Sequence, residues 1–352
     1  MCTSPLYRAS KELLAFYDVE KPWEFPTALY SKLNNKGYAI IGWREYLDIK
    51  QRYALPDWGF VQIPCGKCVE CRVKKVKEWS ARCLAERMTS ENAYFVTLTY
   101  SDDNLRFETV DGVSYPVLVK DDVQRFLKRL RKRLYGSKGG NLRYFLSGEY
   151  GEKTLRPHYH SIIYNLPLND LCIYKVCGKT VYYISDFLTS VWGLGYVVVG
   201  ICNERTTMYT CAYSMKKVGF MQSIEYALQE IIRLAPLGAS SGLLKAYISA
   251  GVLPKPFALM SRRKAIGREY FDCNIDEVTN GLPSFNVNKL EYYDKLLKTV
   301  DLDLWDELKD SRSAVAEASR RRNEARLSLT EKERFLLSEE LGQKPVRPKN
   351  KL

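Results

Sequence analysis

Arg156-Pro157-His158-Tyr159-His160-Ser161-Ile162-Ile163-Tyr164 is the stretch on which the reading of this chain turns. It is rich in aromatic and β-branched residues and closes with Asn165-Leu166-Pro167, the composition and punctuation of a β-strand. Side chains two apart on a strand share a face. His158 and His160, the only 2 histidines among 352 residues, therefore stand side by side. Imidazole is the commonest neutral metal ligand. The plainer alternative is a pair of hydrogen-bonded histidines in a sheet.

Working outward, Leu142-Arg143-Tyr144-Phe145-Leu146-Ser147 reads as a second strand, followed by a polar turn containing glycine. The two strands should pair as an antiparallel hairpin. Glu149, at the end of the first strand in Ser147-Gly148-Glu149-Tyr150-Gly151-Glu152-Lys153, is then carried beside the histidines, with Glu152 of the turn as second choice. Two imidazoles and a carboxylate suit Mg2+ or Mn2+ acting at phosphates and also accept Zn2+. Read without the histidines, Glu149 is a solvated carboxylate at a strand end.

Further strands are expected at Tyr94–Tyr100 and Gly195–Ile201, and helices near Ser185–Trp192 and Thr206–Lys217. The clearest helix is Asp121–Leu134, where Val123, Phe126, Leu127, Leu130 and Leu134 make one apolar stripe beneath a basic face. This order predicts an α+β fold, an antiparallel sheet with helices on one face, related to the split βαβ arrangement. Three regions are expected. Residues 1–60 form an irregular extension, and 61–220 carry the sheet with a cysteine cluster and a basic helix. Residues 221–352 are mainly helical, with helices at Gln222–Leu234, Ser241–Ser249 and across 301–341, a basic cluster of Arg262, Arg263, Lys264 and Arg268, and a basic tail at Lys344–Lys351.

The balance of 54 Lys+Arg against 41 Asp+Glu leaves +13, which points to a polyanionic partner, nucleic acid before others. The bland reading is a soluble basic protein. There is no apolar signal core and no apolar run near the ~18 residues of a membrane span, so a cytoplasmic protein with reduced thiols and no membrane partner is expected. Among the 10 cysteines, Cys65-x2-Cys68-x2-Cys71-x11-Cys83 offers four thiolates, enough for a structural Zn2+. Reduced thiols beside a DNA-binding helix that carries Arg72, Lys74, Lys75 and Lys77 are the alternative. Cys172, Cys177, Cys202 and Cys211 read as packing residues, and Trp79, Tyr135 and Trp192 as candidates for stacking on unpaired bases. No GxxxxGK[ST] motif is present, so any DNA unwinding must come from a partner.

Met208-Tyr209-Thr210-Cys211-Ala212-Tyr213-Ser214-Met215-Lys216-Lys217 is the second chemical element. At ~100° per residue, Tyr209, Tyr213 and Lys216 fall within about 60° of one another on a helix. Met208, Ala212 and Met215 form a separate apolar stripe suited to packing on the sheet. A tyrosine pair at this spacing is also what an ordinary core helix shows.

In these residues the chain resembles the rolling-circle replication initiators of the HUH endonuclease superfamily, in particular those of gokushovirus-type microviruses. The resemblance runs in order through Phe95-Val96-Thr97-Leu98-Thr99-Tyr100, Gly148-Glu149-Tyr150-Gly151, Arg156-Pro157-His158-Tyr159-His160 and Tyr209-x3-Tyr213-x2-Lys216-Lys217, with the cysteine cluster upstream. It covers roughly residues 65–217, and Tyr159 is an aromatic variant of the usual hydrophobe between the histidines. The resemblance implies a site-specific DNA endonuclease and strand transferase. His158, His160 and Glu149 would hold Mg2+ or Mn2+, and Tyr213 or Tyr209 would attack a phosphate, leaving a 5′-phosphotyrosine and a free 3′-hydroxyl. Lys216 or Lys217 would assist. Rejoining releases circular single-stranded DNA. The partners implied are single-stranded and supercoiled origin DNA with a host helicase and polymerase, in the host cytoplasm. Two other readings stay open: a non-catalytic, zinc-stapled nucleic-acid-binding protein, and a plasmid relaxase or transposase of the same superfamily.

Overall fold

The histidine strand lies inside a seven-stranded sheet in the computed structural model, which describes residues 5–9, 13, 29, 39–53, 59–66, 68–136, 140–151, 155–178, 180–215, 228, 231–232, 234, 241–280 and 290–328. Along the chain the elements are β1 (Leu6–Ala9), β2 (Ile40–Gly42), α1 (Trp43–Tyr53), β3 (Phe60–Ile63), α2 (Val69–Met88), β4 (Ala93–Tyr100), β5 (Phe107–Val110), β6 (Val113–Pro116) and α3 (Lys120–Tyr135). Then follow β7 (Arg143–Tyr150), β8 (Pro157–Tyr164), β9 (Cys172–Cys177), β10 (Thr180–Ile184), α4 (Asp186–Trp192), β11 (Gly195–Ile201) and α5 (Glu204–Met215). The last are α6 (Ser241–Ala250), β12 (Phe257–Met260), α7 (Arg268–Cys273), α8 (Ile275–Asn280), α9 (Glu291–Val300) and α10 (Leu302–Ser328).

The sheet order is β12-β7-β8-β4-β11-β10-β9, and every neighbouring pair is antiparallel. The α+β class, the antiparallel sheet and the β7–β8 hairpin are as the sequence predicts. β7 runs two residues past the turn boundary that Gly148 suggests, so Glu149 is inside the strand, opposite His158, with Ser147 opposite His160. On the other side, β4 sets Thr97 against His160 and Thr99 against His158.

Alternation along β8 divides the molecule. Tyr159 and Ile163 join Val96, Leu98, Tyr100 and Leu146 in a core covered by α3, α4 and α6. Ile162 and Tyr164 point the other way with Phe145, and Cys83 of α2 and Cys211 of α5 pack on them. Helices therefore cover both faces rather than the one expected, because β8 is apolar on both sides of the pleat and each side needs a cover. The stripe of α3 is buried as predicted, at Val123, Phe126, Leu127 and Leu130. α4 starts at Ser185, whose Oγ accepts a hydrogen bond from the Leu188 amide at 3.1 Å, and stops at Gly193 in the left-handed region, φ 65°.

The first 60 residues are not uniformly irregular. β1 pairs with both β2 and β3, and Ala9, Ile41, Tyr46 and Ile49 make a small core with Tyr7 stacked on Tyr46 at 3.8 Å. The chain divides into two compact units, Met1–Cys273 and Asn274–Leu352. The first reaches well past residue 220 because β12 adds to β7, with Phe257 opposite Gly148. In the second, α9 and α10 are joined by Arg312, which donates to Asp294 at 2.7 Å. The charged helix expected across 301–341 is α10. Most of the helix expected at Gln222–Leu234 and the basic tail lie outside the described residues. No helix among the described residues is long and apolar enough to cross a membrane.

Tyr159, between the histidines, ties the sheet to α3. Its hydroxyl accepts from the Val119 amide at 2.9 Å, contacts the Val119 carbonyl at 3.1 Å and meets the Tyr100 hydroxyl at 2.9 Å. Tyr100 donates to Asp122 in the first turn of α3 at 2.9 Å, and Arg106 donates to the same oxygen at 3.1 Å. Burial pushes the Tyr159 phenol up to about 12 and raises that of Tyr100 further, so both remain donors at neutral pH. Tyr159→Phe strips the Val119 amide of this partner in a buried setting. It should lower stability by about 1–3 kcal/mol, seen as an earlier thermal transition of the full chain. An unchanged transition would show that water replaces the hydroxyl without loss.

Candidate metal centre

Three adjacent strands assemble the site. His158 Nε2 lies 2.7 Å from Glu149 Oε1, and His160 Nε2 lies 3.0 Å from the same oxygen. The remaining ring nitrogens are also occupied. His158 Nδ1 is 3.0 Å from the Arg156 carbonyl and His160 Nδ1 is 3.0 Å from Thr97 Oγ1. A carbonyl can only accept, so His158 carries its proton on Nδ1. A neutral His158 then turns the Nε2 lone pair toward a carboxylate oxygen. That contact is favourable only with a cation or a second proton between the two atoms.

The donor set tests well against a divalent metal. One ligand atom from each of Glu149, His158 and His160 lies within 4.8 Å of the others. Glu149 Oε2 is buried without a hydrogen-bond partner, an orphaned anionic oxygen that a cation would satisfy. Burial by itself would raise the Glu149 pKa, but hydrogen bonds from both histidines outweigh it and hold the carboxyl below its ordinary value. Glu149 is thus an ionised ligand at neutral pH.

Neighbouring groups fix the ligands. Phe95 stacks on His160 at 5.4 Å with 12° between the rings, and the two imidazoles meet edge to face at 4.9 Å. Arg156 holds His158 through its carbonyl, while its guanidinium donates to the Tyr100 carbonyl at 2.7 Å and to Asp102 at 2.6 Å. The entry to β8 is thereby clamped to the end of β4. Gly148 leaves no room for a methyl group: a Cβ there would stand 3.0 Å from Phe257 and 3.1 Å from Tyr159. Sequence reasoning did not single out Thr97, Phe95 or Arg156 as positioning residues. Their signal was the period-two register of β4 against β8, which needs the pairing to be known.

Helix α5 brings Tyr209 to the cluster. Its ring is 5.1 Å from that of His160 at 77°, and 6.0 Å from Phe95 at 83°. The face that anchors α5 differs from the expected stripe of Met208, Ala212 and Met215. Thr207, Thr210 and Cys211 are buried, whereas Met208 is 42% exposed. Small side chains suit this close approach of α5 to β7, β8 and α2, and Thr210 satisfies its hydroxyl on the Thr206 carbonyl at 2.9 Å. Tyr213 is four residues further along α5, with its side chain outside the description, and Lys216, Lys217 and Glu152 lie outside the described residues. A groove of about 640 Å³ runs beside Tyr209, lined by Val76 of α2 and by Arg205, Met208 and Ala212 of α5.

The cysteines divide differently from the expected set of four. Cys65, Cys68 and Cys71 lie together, with sulfurs within 4.8 Å of one another. Cys83 does not join them. It follows Cys71 by twelve residues on the same helix, about 18 Å along the axis, and its sulfur is 4.0 Å from that of Cys211. Burial raises the Cys211 thiol well above its ordinary range and pushes Cys202 up to about 11, as for packing thiols. Cys172 and Cys177 are exposed on the edge strand β9 rather than packed. Trp192 is fully buried and donates to the Thr99 carbonyl at 3.1 Å, so it is not available to stack on bases.

The two basic helices also separate. α3 lies on the Tyr159 face, and its Arg129 donates to the Val191 and Trp192 carbonyls at 2.9 and 2.8 Å, fastening α4. α2 lies on the histidine face with Lys74, Lys75 and Lys77 exposed.

Residues 93–218, which contain β4, the metal cluster and α5, match the family model of the replication-associated protein ORF2. The chain is similar to Replication-associated protein ORF2 of Spiroplasma virus 4, 30% identical over 297 residues, 81% of this chain and 82% of that one. It is 31% identical to Replication-associated protein VP4 of Bdellovibrio phage phiMH2K over 158 residues, 44% of this chain and 49% of the relative. Against Replication-associated protein ORF4 of Chlamydia phage 1 the figure is 29% over 160 residues, 44% of this chain and 38% of the relative. No solved structure matches the chain.

Thr97→Val keeps the shape of the side chain and removes the hydroxyl that orients His160. Mn2+ affinity measured by calorimetry should fall about 10- to 100-fold, with the circular dichroism spectrum unchanged. Equal affinity in the two proteins would mean that His160 needs no such support to bind.

Proposed function

The chain belongs to the family of the replication-associated protein ORF2, and from that premise we propose that it starts replication of a circular phage genome by cutting one DNA strand at the origin and later rejoining it. The observation that carries this reading is Tyr209 on α5, its ring 5.1 Å from that of His160 and its side chain 42% exposed. A phenol beside a cluster of two imidazoles and a carboxylate is the pairing of nucleophile and cation site that strand transfer requires. His158 Nε2, His160 Nε2 and Glu149 would hold Mg2+ or Mn2+, which when bound polarises the scissile phosphate.

The reaction balances without a further reactant. The tyrosine oxygen bonds to phosphorus as the bond from phosphorus to the 3′ oxygen breaks. The phenolic proton is lost and the departing 3′ oxygen gains one, leaving a 5′-phosphotyrosine and a 3′-hydroxyl that can prime synthesis. An ordinary phenol has a pKa of about 10, so the attacking tyrosine needs a cationic neighbour, a role for Lys216 or Lys217. Tyr213, four residues on, is the second nucleophile: one tyrosine keeps the 5′ end while the other cuts the regenerated junction. Reversal of the second step joins the strand and releases circular DNA.

Single-stranded DNA has a path to this site. Lys74, Lys75 and Lys77 are exposed on the helix that shares the groove with Tyr209, and Arg205 and Met208 line it. That combination suits a phosphate backbone with an unpaired base laid against apolar wall. Helicase and polymerase are supplied by the host, in whose cytoplasm the protein acts.

Full-length protein mixed with single-stranded DNA of its own replicon and Mn2+ should give a slower band on a denaturing gel. The band should be absent without metal, in His158→Ala/His160→Ala and in Tyr209→Phe/Tyr213→Phe. Either single tyrosine variant should still react once. DNA binding without any covalent band in the wild type would leave a nucleic-acid-binding module in place of an enzyme.

A further inference from the structure

Cys65, Cys68 and Cys71 take no part in the site above, yet they are arranged as ligands. They stand where β3 gives way to α2. Cys65 Sγ is 4.0 Å from Cys71 Sγ, about twice the ~2.05 Å of a disulfide bond. Thiolates at ~2.3 Å around a tetrahedral zinc are about 3.8 Å apart, so the spacing is that of sulfurs sharing one ion. Gly66, at φ 70°, turns the chain back between Cys65 and Cys68. The Cys68 amide then donates to Cys65 Sγ at 3.3 Å. Cys68 is the N-cap of α2 and Cys71 lies in its first turn, at the positive end of the helix, where thiolates are favoured.

Structural zinc takes four protein ligands. Cys83 is excluded by its place along α2, and both histidines belong to the other cluster. Among the described residues no further cysteine or histidine joins the three. The register of β1 points to the missing one. β1 runs antiparallel to β3 with Leu6 opposite Ile63, so the chain ahead of Leu6 leaves from the end of β3 that leads directly to Cys65. Cys2 is four residues ahead of Leu6, a span of at most about 14 Å of extended chain.

We propose that Cys65, Cys68 and Cys71, with Cys2 as the fourth thiolate, bind a structural zinc ion that fastens the start of the chain to the head of α2. Cys2 is outside the described residues, and its assignment rests on the register of Leu6 and the length of chain between. The consequence is that the helix presenting Lys74, Lys75 and Lys77 is held at its first turn by a metal separate from the one at His158 and His160. Removing that metal loosens the N-terminal segment and the basic helix together.

The test uses the full-length protein purified without added metal. Zinc measured by mass spectrometry should stand at about one per chain, the filling of a single closed site. It should survive His158→Ala/His160→Ala and Cys83→Ser, and be lost in Cys68→Ser. With cobalt in place of zinc, in the His158→Ala/His160→Ala background, the sulfur-to-cobalt charge-transfer band should report four thiolates. Cys2→Ser should lower that band by about a quarter, one sulfur of the four, while cobalt stays bound, so the readout does not depend on losing the fold. Absence of zinc from the wild type, or zinc that leaves with the histidines, overturns the site. A cobalt spectrum unchanged by Cys2→Ser, or changed by Cys83→Ser, overturns the assignment of the fourth ligand.

Discussion

A single carboxylate oxygen, Glu149 Oε1, stands within hydrogen-bonding reach of two imidazole nitrogens on the next strand. Because His158 commits its Nδ1 proton to a backbone carbonyl, that meeting of lone pairs needs positive charge at its centre. The rest of the molecule follows from keeping it in place. The β7–β8 register sets Glu149 opposite His158, and a slip by one residue would turn both imidazoles to the opposite face. Register is specified strongly here because both faces of β8 are buried, so either slip exposes apolar side chains or buries the wrong ones.

The residue between the histidines has the complementary task. Tyr159 points away from the metal cluster and reaches the start of α3, where Tyr100, Asp122 and Arg106 continue the hydrogen-bond chain. One strand therefore serves two purposes through its pleat: alternate residues present ligands, and the residue between them locks the supporting helix. Gly148 permits the same dual use of β7, since its lack of a side chain lets Phe257 and Tyr159 close in beneath Glu149.

On the histidine face, α2 does more than display charge. Its buried Glu86 pairs with Arg143 of β7 and accepts from the Gly267 amide at 2.7 Å. Arg143 in turn donates to the Arg263 and Lys264 carbonyls at 2.9 and 2.6 Å. The loop bearing the exposed side chains of Arg262, Arg263 and Lys264 is thus tied to the sheet by a buried ion pair. A buried pair of this kind is costly to break from one side, which favours a fixed placement of these cations over a fluctuating one.

Much of this was legible in the chain itself. The spacing of His158 and His160, the hairpin that brings Glu149 to them, the apolar stripe of α3 and the strands at β4 and β11 all follow from periods of two and 3.6, which are local properties of backbone geometry. What local geometry cannot state is which faces meet. The sequence marks α2 and α3 as equally basic, and only packing assigns α2 to the metal side and uses Arg129 to fasten α4. It marks Met208 as an anchor, yet the closeness of α5 to the sheet admits only Thr207, Thr210 and Cys211. It groups Cys83 with Cys65, Cys68 and Cys71, and the rise of an unbroken helix carries Cys83 away from them. The sequence alone determined which atoms are able to bind and react, and tertiary structure decided which of them meet, because contacts between distant elements depend on how closely their surfaces approach.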